Sequence, residues 1–143
     1  MNTGSTQPYL SIVMTARNDG HGGNLRERIN ASLSVWSALC LEYILSIEIL
    51  LVEWNPLPSH PPLRDIIDHN YNNTYVRLRI ITVPASVHSQ ADKEDPLAFH
   101  QMIAKNVGIR AAKGLFILCT NIDVFPDSNL IQLLAERELE ENT

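Results

Sequence analysis

The chain has 143 residues, 45% hydrophobic and 19% charged, with a formal net charge of -5, the profile of a single globular domain rather than a disordered or fibrous chain. Its dense charge run, "ERELEE" at 136–141, is acidic and reads as a solvated helix face, which argues against binding to a nucleic-acid backbone. The longest apolar runs are about five residues against the roughly 20 of a membrane span, no N-terminal leader pattern is seen, and Cys40 and Cys119 have neither metal nor disulfide spacing. A cytoplasmic protein with no membrane span and two core thiols is the expectation.

Tyr9 to Thr15, "YLSIVMT", is short, apolar and β-branched and stops at the turn-rich "ARNDGHGGN", which predicts a strand and then a loop. From Asn24 as N-cap, the residues Leu25, Ile29, Leu33, Trp36, Cys40 and Tyr43 recur every three or four positions, the period of a helix over 24–43 with one buried face. The nearly continuous apolar run Ile47 to Trp54 suits a strand covered on both faces, and the prolines of "NPLPSHPP" end it. A short helix over Leu63 to Tyr71 follows, then an edge strand, "VRLRIITVP", closed by Pro84. "ASVHSQADKED" reads as a polar loop. Asp95, with Pro96 at the first helical position, starts a helix on which Phe99, Ile103, Val107 and Ala111 keep the period until Gly114 caps it. Leu115 to Thr120 is the fourth strand, and Asn129 to Glu141 a last helix with Leu130, Leu133, Leu134 and the Arg137 stem inward.

This alternation predicts one α/β domain over 1–143, with a mostly parallel sheet and flanking helices. Such sheets place their sites at the carboxyl ends of the strands, beside the switch in strand order. Three of those ends are polar: Thr15 to Asp19, Glu53 to Asn55, and Thr120 to Asp123. A dinucleotide is a poor match, because Gly20, Gly22 and Gly23 miss the G-x-G-x-x-G spacing and Leu25 stands where the third glycine belongs; a NAD-type oxidoreductase therefore ranks low. A nucleotide diphosphate held through Mg²⁺ or Mn²⁺ fits better, since Asn121 and Asp123 share one side of an extended segment and offer hard oxygen ligands. Trp54 could stack on a base or cover the proline loop. His60, His69, His88 and His100 share no metal spacing and read as surface or loop residues, while His21 lies beside the expected pocket.

Four blocks, "SIVMTARND" at 11–19, "ILLVEWNP" at 49–56, "AKNVGIRAAKG" at 104–114 and "FILCTNID" at 116–123, together resemble family 2 glycosyltransferases. Those enzymes have the Rossmann-like GT-A (nucleotide-diphospho-sugar transferase) fold, and the match follows their order over nearly the whole chain. The resemblance implies that Thr15, Ala16, Arg17 and Asn18 contact base and ribose, that Glu53 recognises the nucleoside, and that Lys105 and Asn106 line the nucleotide pocket. It places the metal motif on Asn121 and Asp123, with Asp123 the ligand of a divalent cation, Mn²⁺ or Mg²⁺. The partners it implies are a nucleotide-sugar donor and an acceptor hydroxyl of unknown identity. The cation would neutralise the departing diphosphate while the acceptor, deprotonated by a base, attacks the anomeric carbon.

Two departures accompany the resemblance. Asn121 stands where the family's motif has its first acidic residue; its amide can reach a ribose hydroxyl but removes a carboxylate from the metal site. The family's acceptor half and catalytic carboxylate lie downstream of the motif, and Glu136, Glu138, Glu140 and Glu141 read as a solvated face, so no base is assigned. The domain is thus expected to be a truncated GT-A part. The alternative is a non-catalytic nucleotide-binding or interaction module, and a sheet left open after its fourth strand predicts self-association.

Overall fold

Strands β1 (Leu10–Ala16), β2 (Ile47–Trp54), β3 (Val76–Val83) and β4 (Phe116–Cys119) form one sheet of order β3-β2-β1-β4, with every pair parallel. Helices α1 (Leu25–Glu42), α2 (Leu63–Ile66), α3 (Ala85–Ala91), α4 (Gln101–Ala111) and α5 (Ser128–Ala135) connect the strands. The structure is a computed structural model and describes residues 7–91 and 99–141. It is an α/β fold whose parallel sheet is flanked by helices, as the alternation of the sequence predicts.

β1 and β2 are buried along their whole length, which is why both are continuous apolar runs rather than alternating ones. On one face of the sheet Ile12, Met14, Ile49 and Leu51 join Ile29, Leu33 and Trp36 of α1 and Ile131 and Leu134 of α5 in the main core. On the other, Val52, Trp54 and Val83 meet Ala104 of α4, with Phe99 and Val107 alongside. Gly108 lets α4 lie this close: a Cβ there would stand 2.5 Å from Val13 Cγ1 and 3.2 Å from Val52 Cγ2.

Several local expectations are corrected. "ASVHSQ" forms α3 instead of a loop: Pro84 opens it with its fixed φ, Val87 and His88 donate N–H to Pro84 O at 3.1 and 3.3 Å, and Ser89 Oγ donates to Ala85 O at 2.9 Å. α2 stops at Ile66 rather than Tyr71, because Ile67 is extended and Tyr71 is drawn inward, its hydroxyl donating to Asn30 Oδ1 at 2.8 Å. α4 begins at Gln101 with His100 in the N-cap position; the expected start, Asp95 and Pro96, lies outside the described residues. It ends at Ala111, and Gly114 marks instead a close approach of backbones, where a Cβ would meet Ser11 Oγ at 2.5 Å.

α5 stops at Ala135, and Arg137 beyond it adopts a left-handed φ of 57°. Its buried residues are Ile131 and Leu134, while Leu133 is 60% exposed; the Arg137 guanidinium lies over the Tyr9 ring, 5.3 Å from its centroid. Cys40 is a core thiol, pushed up to about 12 by burial, but Cys119 is exposed. Successive side chains of β4 point to opposite faces, so Ile117 and Cys119 stand open while Phe116 and Leu118 pack on the core. His88 and His100 are buried rather than at the surface.

Candidate functional site

β1 is where the strand order reverses, with β2 and β3 on one side and β4 on the other. In a parallel sheet that reversal leaves a crevice beyond the carboxyl ends of the two flanking strands, because their connections leave toward opposite faces. A cleft of about 440 Å³ opens there, within the usual size of small-molecule sites. Thr15, Ala16, Arg17 and Asp19 form the β1 wall and Asn121, Ile122 and Asp123 the β4 wall. Leu25 and Arg28 enter from the start of α1, Phe99 and Gln101 from the start of α4.

The turn between β1 and α1 is left-handed at Gly20, Gly22, Gly23 and Asn24, with φ of 80°, 76°, 64° and 53°. Glycine takes this backbone without strain, and the turn curls its carbonyls around one side chain. Arg28 Nε donates to Gly23 O at 3.0 Å and Nη2 to His21 O at 3.5 Å. Its Nη1 reaches Asp123 Oδ2 across the cleft, also at 3.5 Å. Asn24 holds the N-cap position without a side-chain capping bond.

Arg17 ties the ends of β1 and β2, donating from Nε to Asn55 O at 2.8 Å and from Nη1 to Asp19 Oδ2 at 3.1 Å. Burial pushes the Asp19 carboxyl up, but the His21 N–H and the Arg17 guanidinium outweigh it and hold it below its ordinary value. Asn121 Oδ1 accepts from Gln101 Nε2 at 3.1 Å and Lys105 Nζ at 3.3 Å. Thr15, only 6% exposed, lines the cleft with its buried Oγ1 unpartnered among the described residues. A buried hydroxyl without a partner calls for an explanation, and a bound polar ligand would supply one.

Of the residues singled out in the sequence, Thr15, Ala16, Arg17, Asp19, His21, Asn121 and Asp123 line this cleft, and Lys105 joins it through Asn121. Asn18 instead donates Nδ2 to Pro61 O at 2.9 Å, and Asn106 is exposed on α4 away from the cleft lining. Glu53, 2% exposed, accepts from Leu63 N at 2.7 Å and Thr82 Oγ1 at 3.1 Å; it caps the first residue of α2 and does not line the cleft. Trp54 is fully buried, its indole N–H donating to His88 Nδ1 at 2.9 Å, and it does not line the cleft. Arg28, Leu25, Phe99 and Gln101 were not anticipated. The signal that could have found the first two is their three-residue spacing at the start of α1, which puts both on the face that meets the strand ends.

The divalent cation implied by the resemblance can be tested on the donor set. A hard cation takes about six oxygens, carboxylates among them. Here Asp123 is paired with Arg28 and Asp19 with Arg17, and the Asn121 oxygen already receives two donors. Among the described residues no three His, Cys, Asp or Glu side chains gather into one group. The set as arranged does not fit the ion.

Compared with known proteins, the chain matches no family model and no curated protein. Among the described residues no helix is long and apolar enough to cross a membrane.

Proposed function

We propose that the cleft at the β1–β4 switch binds a nucleotide-diphosphate sugar, and that the domain is the donor-binding part of a GT-A glycosyltransferase. The observation that carries this reading is the convergence on one cleft of Thr15, Arg17, Arg28, Asn121 and Asp123. Hydroxyl, amide and carboxylate are groups that recognise ribose and base, and guanidinium groups are matched to phosphate. Transfer to an acceptor hydroxyl needs a general base within hydrogen-bond reach. Both cleft carboxylates are held in ion pairs, so neither is assigned as the base.

Titration with UDP, GDP and their sugars, followed by ligand-observed NMR, tests the reading. Trp36 and Trp54 are buried and neither lines the cleft, so tryptophan emission is the weaker reporter. Line broadening of the nucleotide that is lost in Arg17→Ala supports it; no response to any nucleotide sinks it.

A second reading, an interaction module that pairs with its own copy, is favoured by the open edge of β4. Phe116 and Thr120 donate their N–H groups to Tyr9 O and Val13 O of β1, both at 3.0 Å. With a period of two, the N–H and C=O groups of Ile117 and Cys119 then point to the open edge. Leu115, Ile117, Leu130 and Leu139, between 38% and 51% exposed, line a groove there.

A further inference from the structure

We infer that the cleft takes its diphosphate without a divalent cation, and that Arg28 is the group that meets the phosphates. The inference rests on the nucleotide reading above and changes what the site uses to neutralise its ligand. In the resemblance that role falls to a metal on Asp123. In the structure Asp123 faces a guanidinium instead, and a dication seated on that carboxylate would either displace Arg28 or stand beside it, like charge against like.

The charge count points the same way. Arg17, Arg28 and Lys105 stand around the cleft against Asp19 and Asp123, an excess of one positive charge. A site that holds a metal cation needs the opposite sign. Mobility would weaken a lysine in this role, but Arg28 is held in place. Its Nε and Nη2 are bonded to carbonyls of the glycine turn, and the turn is shaped to it: a Cβ at Gly22, where φ is 76°, would sit 3.3 Å from Nη2. A guanidinium has five N–H donors. Gly23 O, His21 O and Asp123 Oδ2 engage three of them, which leaves one N–H on each Nη for phosphate oxygens. Because the side chain is fixed beforehand, little rotamer freedom is lost on binding. Asp123 faces the guanidinium across the cleft and gives way to the more highly charged diphosphate.

The test is binding of UDP, GDP and inorganic pyrophosphate by ligand-observed NMR, in EDTA and again with excess MnCl₂ or MgCl₂. Circular dichroism serves as the folding control for each variant. Binding is expected in EDTA and within about twofold of that value with either metal. Arg28→Ala should weaken it tenfold or more, the scale of losing a hydrogen bond to a charged group, while Arg28→Lys, which keeps the charge without the fork, recovers part of the loss. Asp123→Asn, which removes the carboxylate a metal would need, should weaken binding less than Arg28→Ala does. Binding seen only with metal, or abolished by Asp123→Asn and untouched by Arg28→Ala, overturns the inference and leaves the nucleotide reading standing. Failure of all three probes under every condition overturns both.

Discussion

Ser11 donates its hydroxyl hydrogen to Glu48 Oε1 at 2.6 Å, and both residues are almost wholly buried in the middle of the sheet. The pair closes a network near the amino ends of these two central strands, opposite the cleft. Lys113 N–H donates to the same oxygen at 2.6 Å, Gly114 N–H to Ser11 Oγ at 2.7 Å, and Arg79 Nη2 to Glu48 Oε2 at 3.3 Å. Four segments of chain therefore meet on one carboxylate. Burial pushes that carboxyl up, but the Ser11 and Lys113 hydrogen bonds and the Arg79 guanidinium outweigh it and hold it below its ordinary value. Because the folded value lies below the unfolded one, near 4.3, the contribution is complete above that pH and is lost as pH falls through the folded value. Glu48→Gln should cost about 2 kcal/mol at neutral pH, since an amide that keeps its oxygen on Ser11 and Lys113 turns its NH2 toward the Arg79 guanidinium. Urea midpoints measured between pH 3 and 7 should fall on the acid side in the parent and run flatter in the variant.

Gly108 carries the contact of α4 with β1 and β2. Gly108→Val should destabilise the domain by about 3 kcal/mol, because the added atoms overlap Val13 and Val52 in a packed layer. Thermal unfolding by circular dichroism measures it. A variant as stable as the parent would show that α4 can slide away from the sheet.

The parts of this fold that were legible in the sequence are those whose reason is local or periodic. β2 declares itself by a continuous apolar run, α1 by its three-to-four spacing, and the polar strand ends by their place beyond each run. α3 was hidden because "ASVHSQ" has no apolar stripe; its buried residue, His88, meets Trp54, 34 positions away. Glu53 was placed correctly at a strand end, yet the spacing says nothing of Leu63 N, ten residues on, which takes the carboxylate. Arg28 escaped for a similar reason: a helix's first turn is charged in most proteins, and only the turn geometry shows that this side chain is held over the cleft.

His88 must present Nδ1 as an acceptor to the Trp54 indole, which places its proton on Nε2. Trp54 is 0% exposed, so His88→Ala leaves a buried N–H unpaired at a cost of about 1–3 kcal/mol. His88→Gln, which retains an acceptor, should lose less. Urea unfolding ranks the three proteins, and the same order should be seen in the shift of tryptophan emission.

Self-association through β4 makes the last prediction. The apolar run Leu115 to Cys119 has Ile117 at its centre, so two antiparallel copies overlap the whole run only when Ile117 stands opposite itself. Leu115 then faces Cys119 of the second copy, and Phe116 faces Leu118, each pair on one side of the joined sheet. No charge or proline interrupts the run, although natural edge strands commonly carry one to block such pairing. Glu140 and Glu141 flank the groove, and each copy has a net charge of -5, so pairing should strengthen with salt as repulsion is screened. Light scattering across a concentration series should show dimer in the parent at 0.5 M NaCl. Ile117→Lys should restore monomer with stability changed by less than about 0.5 kcal/mol, because that side chain is already 44% exposed. A parent that stays monomeric at millimolar concentration in high salt would remove β4 as a docking edge for a second copy.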